Sequence, residues 1–247
     1  MIDVVNIPSP EAANASTIYA VGDIHGRLDL LEMMEDHIAA DILDNGVISP
    51  LLCYLGDYID RGPQSAQVID HLSKQNKHGL ARVFLKGNHE DRMIEFLDNP
   101  SEKGPSWISF GGHEALESYG LAVPADEQIQ WDQLRDQLKS ALPDRHLQFL
   151  KDLRIGFRWG SHLFVHAGLN PDRTTADQLA HDLMWIREPF LSSDTDWGMT
   201  VVHGHVIVPE PVFRANRIGI DTGAYRTGEL TCLVVSQNAP RLLRAMI

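Results

Sequence analysis

Cysteine is scarce in this 247-residue chain: Cys53 and Cys232 stand alone, too few for a disulfide framework and with no thiolate metal spacing around either. Each sits in an apolar run, LLCYL or LTCLVV, and reads as a small buried hydrophobe. Positive charge is also in deficit, since 21 Lys and Arg against 34 Asp and Glu leave a formal charge of −13. A field of that sign repels nucleic acid and anionic membrane surfaces, so neither is an expected partner. It does not forbid a local anion site, where bound metal ions reverse the field. No apolar stretch reaches the length of a membrane span. Residues 1–15 lack the basic and apolar regions of a signal peptide, so a cytoplasmic protein is expected. Repeats, low-complexity tracts and Gly/Ser linkers are missing too, and a single domain over 1–247 is the expectation.

What is present is an ordinary globular composition, 43% hydrophobic and 22% charged. Apolar runs at Ile18–Val21, Leu51–Leu55 and Val83–Leu85 predict strands. Leu31, Met34, Ile38 and Ile42 recur at helical spacing between the first two, and Val68, Ile69 and Leu72 mark a second helix. A third helix is expected from about Glu90, with Met93, Ile94, Phe96 and Leu97 inward. This alternation predicts a parallel sheet with right-handed crossovers. From about 99 to 158 the pattern changes to WDQLRDQLKSAL and PDRHLQFLKDL, two helices of an insertion or cap, with Pro143 expected at the first helical position. Further strands are expected at Leu163–Val165, Met199–Val202, Arg217–Ile220 and Leu230–Val235.

Five polar clusters each follow directly on an apolar strand: IYAV-GDIHG, LLCYL-GDYIDRG, RVFLK-GNHE, HLFV-HAGL and MTVV-HGH. Ligands of open α/β sheets bind beyond the carboxyl ends of the strands, so five such ends can converge on one crevice. Asp23 and His25, two apart on an extended segment, share a face and can grip one cation. Asp57 offers two oxygens, able to bridge two ions; Asn88 offers an amide oxygen, and His166 and His205 offer nitrogens. Taken singly, each has a plain structural reading: Asp23 turns the chain, Asn88 caps the following helix, and the histidines are structural. Together, an all-oxygen and nitrogen set suits Mn²⁺, Fe or Zn²⁺ in a catalytic rather than a structural site. Its size fits two ions sharing Asp57, an arrangement that clamps the attacking and leaving oxygens of phosphoryl transfer.

GDIHG, GDYIDRG, GNHE, HAG and the final GH together resemble the signature of the phosphoprotein phosphatase family, within the calcineurin-like metallophosphoesterases. LMWIREPF resembles the segment that carries the family's second phosphate-binding arginine. The resemblance spans about 21 to 206 and points to bacterial or phage members. It implies an α/β sandwich of two mixed sheets flanked by helices, and a dinuclear centre with Mn²⁺ first and Fe or Zn as alternatives. It implies that Asp23, His25 and Asp57 hold one metal, and that Asp57, Asn88, His166 and His205 hold the other. Arg61 and Arg187, with Asn88, would bind the phosphate; His89 would be the general acid, kept protonated by Asp60. Hydrolysis would then proceed by direct attack of an activated hydroxide, with no phosphoenzyme.

The expected substrate is a phosphorylated protein or small phosphate ester, with a Ser/Thr protein phosphatase as the leading reading. The second reading is hydrolysis of dinucleoside polyphosphates such as diadenosine tetraphosphate. Symmetrical enzymes of that kind typically replace the second Asp of GDxxDRG, and Asp60 is retained here, which favours the monoesterase branch. A third reading, a non-catalytic interaction module, conflicts with the complete ligand set. Some residues stay outside the motif: His203 is expected to point into the site as a support, His113 to be exposed, and Tyr225 of DTGAY to approach the cleft rim.

Overall fold

The computed structural model describes residues 1–7, 10–123 and 129–247. One sheet has the order β10-β9-β1-β2-β3, made of Arg241–Met246, Glu229–Val235, Thr17–Val21, Pro50–Tyr54 and Ala81–Phe84. Strands β1, β2 and β3 run parallel, as the alternating pattern predicts, while β9 pairs antiparallel with β1 and β10 antiparallel with β9. The second sheet has the order β4-β5-β6-β8-β7, made of Gly156–Trp159, His162–Val165, Thr200–His203, Arg217–Gly219 and Val212–Phe213. It is mixed as well, with β5, β6 and β8 parallel and β4 and β7 antiparallel at the edges. The chain is therefore an α/β fold of two mixed sheets flanked by helices.

Side-chain alternation explains why the sheets stack. Ile18 and Ala20 of β1, Leu51 and Cys53 of β2, and Leu233 and Val235 of β9 share one buried cluster with Phe157, Phe164, Val202 and Ile218 of the other sheet. The intervening Tyr19, Val21, Leu52, Tyr54, Cys232 and Val234 face a second cluster beneath the helices. Leu163 and Val165 of β5 join a third cluster on the far face, with Leu183, Phe190 and Trp197. Both cysteines are buried free thiols.

Helices α1 (Leu28–Asp44) and α2 (Ser65–Leu72) are the crossovers between the parallel strands, and α3 (Asn88–Asp98) follows β3. Helix α1 buries Leu30, Leu31, Met34 and Ile38, together with two carboxylates that find partners. Glu35 accepts from the Tyr54 hydroxyl at 2.6 Å and lies 2.8 Å from His71, while Asp41 accepts from Tyr19 at 2.7 Å and from Arg241. The stretch expected as an insertion holds α4 (Pro100–Trp107), a short π-helical turn (Ile108–Gly112), α5 (His113–Ser118), α6 (Trp131–Ala141) and α7 (Asp144–Lys151). Residues 124–128 of it lie outside the described residues. Pro143 is the residue before α7 rather than its first, since its ψ of 142° is extended. Two more helices follow: α8 (Ala180–Trp185) leads into the segment that carries Arg187, and α9 (Ala224–Thr227) passes through Gly228 into β9. Among the described residues no helix is long and apolar enough to cross a membrane.

Phe164 is fully buried between the sheets and stacks on Phe157 at 5.0 Å. Phe164→Ala is expected to lower unfolding free energy by about 3–5 kcal/mol in a denaturant titration. Ile48→Ala, at a side chain 92% exposed, should stay within about 0.5 kcal/mol of the parent.

Candidate functional site

The five polar clusters meet, because each leaves the carboxyl end of a strand at the same edge of the sandwich. β1 delivers Asp23 and His25, β2 delivers Asp57, Asp60 and Arg61, and β3 leads to Asn88 and His89 at the start of α3. From the second sheet, β5 delivers His166 and β6 delivers His205. Apart from Arg61, which is partly exposed, these side chains are buried. Among the described residues, five other than glycine have left-handed backbone, and all five are here: His25, Asp57, Asp60, Arg61 and His205, with φ between 45° and 70°. Such geometry costs of order 1 kcal/mol or more per residue and persists only where the surroundings enforce it.

Asp57 lies at the centre. Its Oδ2 is 3.5 Å from His25 Nε2, 3.4 Å from His166 Nε2 and 3.8 Å from His89 Nε2. On one side, His25, Asp57 and His89 can present ligand atoms to a common ion; on the other, Asp57, His166 and His205 can do the same. Asn88 Oδ1 lies 3.0 Å from His166 Nε2 and 2.8 Å from His205 Nδ1. Asn88 is thus the first residue of α3, not its cap; Gly87 precedes the helix, and the Asn88 amide is turned toward the histidines. Asp23 joins through its Oδ2, which accepts the His205 N–H at 3.0 Å. The rings are pinned from behind: His25 Nδ1 lies 2.8 Å from the Ile59 carbonyl and His166 Nδ1 2.9 Å from the Leu55 carbonyl, which turns Nε2 of each toward Asp57.

Metal ions fit this donor set. Asp23 Oδ1, His25 Nε2, His89 Nε2 and His205 Nε2 are buried without a hydrogen-bond partner, a costly arrangement that a cation relieves. Five buried carboxylates, Asp23, Asp57, Asp60, Glu90 and Asp221, crowd this edge. Burial and the neighbouring Asp221 charge push Asp23 well above the usual carboxylate range, and burial with Asp57 lifts Asp221 to about 6. Burial would raise Asp57 too, but the charges of His166 and His89 hold it well below the normal value. Against the opposing effect of burial, Asp57 lifts His166 to about 10. The cluster attracts positive charge.

Four supporting residues escape a reading of the sequence. Glu90, the last letter of GNHE, accepts the backbone N–H groups of Asp57 (2.9 Å), Tyr58 (2.7 Å), Ile59 (3.3 Å) and Gly87 (3.0 Å). Burial and the Asp57 charge push its carboxyl up to about 8. Four donors facing its two oxygens, however, leave no acceptor for a carboxyl proton and demand the ionised form. Trp107 of α4 donates Nε1–H to Asp60 at 3.1 Å, and Ser65 Oγ accepts the Asp60 N–H at 2.9 Å. Asp221 is the fourth, buried beside Asp23 and accepting the Gly223 N–H at 2.8 Å.

Asp60 Oδ2 lies 2.7 Å from His89 Nδ1, the predicted pairing. Burial disfavours charge on both members, pushing His89 down to about 4 and Asp60 well up, and so works against the imidazolium–carboxylate pair expected from the sequence. Imidazole facing carboxylic acid differs from that pair only in which atom of the hydrogen bond holds the proton. Either way Nε2 keeps its N–H.

Arg61, Asn88, Phe110, Trp185, Arg187 and His205 line a cavity of about 180 Å³ at the mouth of the cluster. Tyr225 does reach the rim, with the Arg61 guanidinium 5.0 Å above its ring and His25 edge-on at 5.4 Å. His203 does not point at the ligands; it packs edge-on against Phe190 at 5.1 Å and lies 3.4 Å from Arg217, which donates to the Leu191 carbonyl. It supports the segment that carries Arg187. His113 is part-exposed beside Glu117, 3.6 Å away.

Glu90→Gln turns an acceptor oxygen into an NH₂ group facing backbone donors. Mn²⁺ affinity, measured by chelator competition, is expected to fall about 10–100-fold in a chain that still folds; unchanged affinity would remove Glu90 from its positioning role. Comparison with known proteins agrees with this geometry. The family model described as calcineurin-like phosphoesterase matches residues 16–227, which include every clustered residue named above. The asymmetrical bis(5'-nucleosyl)-tetraphosphatase PrpE of Anoxybacillus flavithermus is 28% identical over 236 residues, covering 86% of this chain and 88% of the relative. Among solved structures, a candidate diadenosine tetraphosphatase superposes with a TM-score of 0.60 at 20% identity, over 94% of this chain and 95% of its own. A cold-active protein-tyrosine phosphatase of a Shewanella species gives 0.59 at 19% identity, over 94% and 78%; likenesses this distant speak for the fold. The chain belongs to the calcineurin-like phosphoesterase family of metal-dependent hydrolases.

Proposed function

We propose that this enzyme hydrolyses dinucleoside polyphosphates of the diadenosine tetraphosphate type, splitting a phosphoanhydride bond into two unequal nucleotides. The observation that carries the proposal is the similarity to an asymmetrical tetraphosphatase along 86% of the chain. The retained Asp60, which favoured the Ser/Thr phosphatase reading, weighs only against symmetrical enzymes. It leaves an asymmetrical one open, so the second reading takes the lead. A cavity of about 180 Å³ between two arginines suits a phosphoryl group of either substrate class.

Asp23, His25 and Asp57 would hold one ion, and Asp57, Asn88, His166 and His205 the other; Mn²⁺ is the first candidate, with Fe or Zn²⁺ next. When bound, such a pair lowers the pKa of water and neutralises phosphate charge. Arg61 and Arg187 grip the phosphoryl oxygens, a task for which the guanidinium fork is shaped. Water oxygen bonds to phosphorus as the bridging P–O bond breaks in line, and the arginines stabilise the charge spreading over the equatorial oxygens. His89 Nε2–H, aimed by Asp60, gives its proton to the departing oxygen. Trp107 and Ser65 hold Asp60 in turn, so the helical stretch takes part by fixing the acid.

His89 also stands near a potential ligand position, 3.8 Å from Asp57, and mutation separates the two roles. His89→Asn is expected to cut turnover of diadenosine tetraphosphate about 10²–10⁴-fold while metal content is kept. Asp57→Asn is expected to lose both. A His89 variant that loses metal in step with activity would make it a ligand rather than the acid. Side-by-side rates on diadenosine tetraphosphate, a phosphoserine peptide and an aryl phosphate test the substrate. A dominant rate on the phosphopeptide would return the Ser/Thr phosphatase reading to first place.

A further inference from the structure

We propose that Phe110, with Trp185 beside it, is the platform on which a nucleobase of the substrate stacks, at the wall of the phosphate pocket that opens to solvent; this rests on the dinucleotide reading above. Phe110 is 37% exposed, one of two aromatic rings among the large hydrophobic side chains that stand open to solvent in the described residues. An exposed phenyl ring bordering a site built for highly charged phosphate gains nothing unless the ligand also has an apolar face.

The ring is held in fixed relation to the phosphate-binding groups. It sits in the π-helical turn Ile108–Gly112, where Gly111 has a φ of 101° and accepts the Arg61 N–H at 3.0 Å. A side chain at Gly111 would strike the Arg61 backbone nitrogen at 2.8 Å, so this close approach requires glycine. The same turn therefore sets the position of an arginine and of the ring. Trp185 stands 6.2 Å from Phe110 at 63°, two residues before Arg187. Its indole is fixed by the Asp91 carboxylate at 3.2 Å and by the Arg92 guanidinium 4.6 Å from the ring centre. Both aromatic rings thus share the wall of the cavity with the two arginines. A cavity of about 180 Å³ accommodates a phosphoryl group but not a nucleoside as well, so the remainder of the substrate must lie across this lip. Stacking tolerates any base, since every base has a π face, and adenine and guanine should serve almost equally.

The test uses the full-length, Mn²⁺-loaded enzyme and two readouts. In the first, Phe110→Ala is compared with the parent on diadenosine tetraphosphate and on inorganic tripolyphosphate. The ratio of kcat/KM between the two is expected to fall about tenfold, mostly through KM, and Phe110→Trp is expected to restore it. A parallel change on both substrates, or none, would overturn the proposal. In the second, AMP and inorganic phosphate compete with p-nitrophenyl phosphate, so the base is probed whether or not the dinucleotide is cleaved. AMP is expected to bind the parent more tightly than phosphate does, and Phe110→Ala to erase that advantage. An advantage equal in both chains would overturn the platform. A parent that stacks AMP yet leaves diadenosine tetraphosphate uncleaved would overturn only the function reading.

Discussion

One buried carboxylate organises this protein. Asp57 is 2% exposed and lies between His25, His89 and His166, all within 3.8 Å. A charge in that position is untenable without positive partners, and the surrounding donors form two groups that share it. The rest of the local architecture serves this placement. Gly87 and Gly204 leave room where a Cβ would strike the carboxylates of Asp57 and Asp23. The left-handed backbone at five of the site residues is tied down at each N–H, Asp57 to Glu90, Asp60 to Ser65, Arg61 to Gly111, His25 to the Asp57 carbonyl and His205 to Asp23.

The two-sheet sandwich makes the arrangement possible because parallel strands point their carboxyl ends the same way. Three strands in one sheet and two in the other release their loops at one edge, and the inter-sheet cluster around Phe157 and Phe164 locks the two sets together. A relative slip of the sheets would separate His166 and His205 from Asp57. Packing energy in the core and geometry at the site are therefore the same constraint, felt at opposite ends of the strands.

Much of this was legible in the sequence. The inner strands are continuous apolar runs followed at once by polar loops, and covalent adjacency fixes where those loops emerge. Two of the edge strands were not legible: Gly156–Trp159 and Arg241–Met246 read GFRW and RLLRAM, segments whose charged residues blur any period. The supporting residues stayed hidden for another reason. Glu90 looks like any acid in a first helical turn, and Trp107 like any core aromatic. Their roles exist only once α3 and α4 bring them to Asp57 and Asp60. Asn88 shows the reverse: capping chemistry and ligand chemistry ask for the same amide, and only the position of Gly87 decides between them. His203 defeated strand alternation because the chain turns at His205, whose φ is 66° and across which the Val206 N–H bonds the Gly204 carbonyl, so His203 and His205 have different neighbours.

The most direct test of the account is an anomalous difference map from crystals grown with Mn²⁺, collected near the manganese edge. The account predicts two peaks on either side of the Asp57 carboxylate, one within reach of Asp23 and His25 and the other beside Asn88, His166 and His205. A single peak, or density away from Asp57, would contradict it.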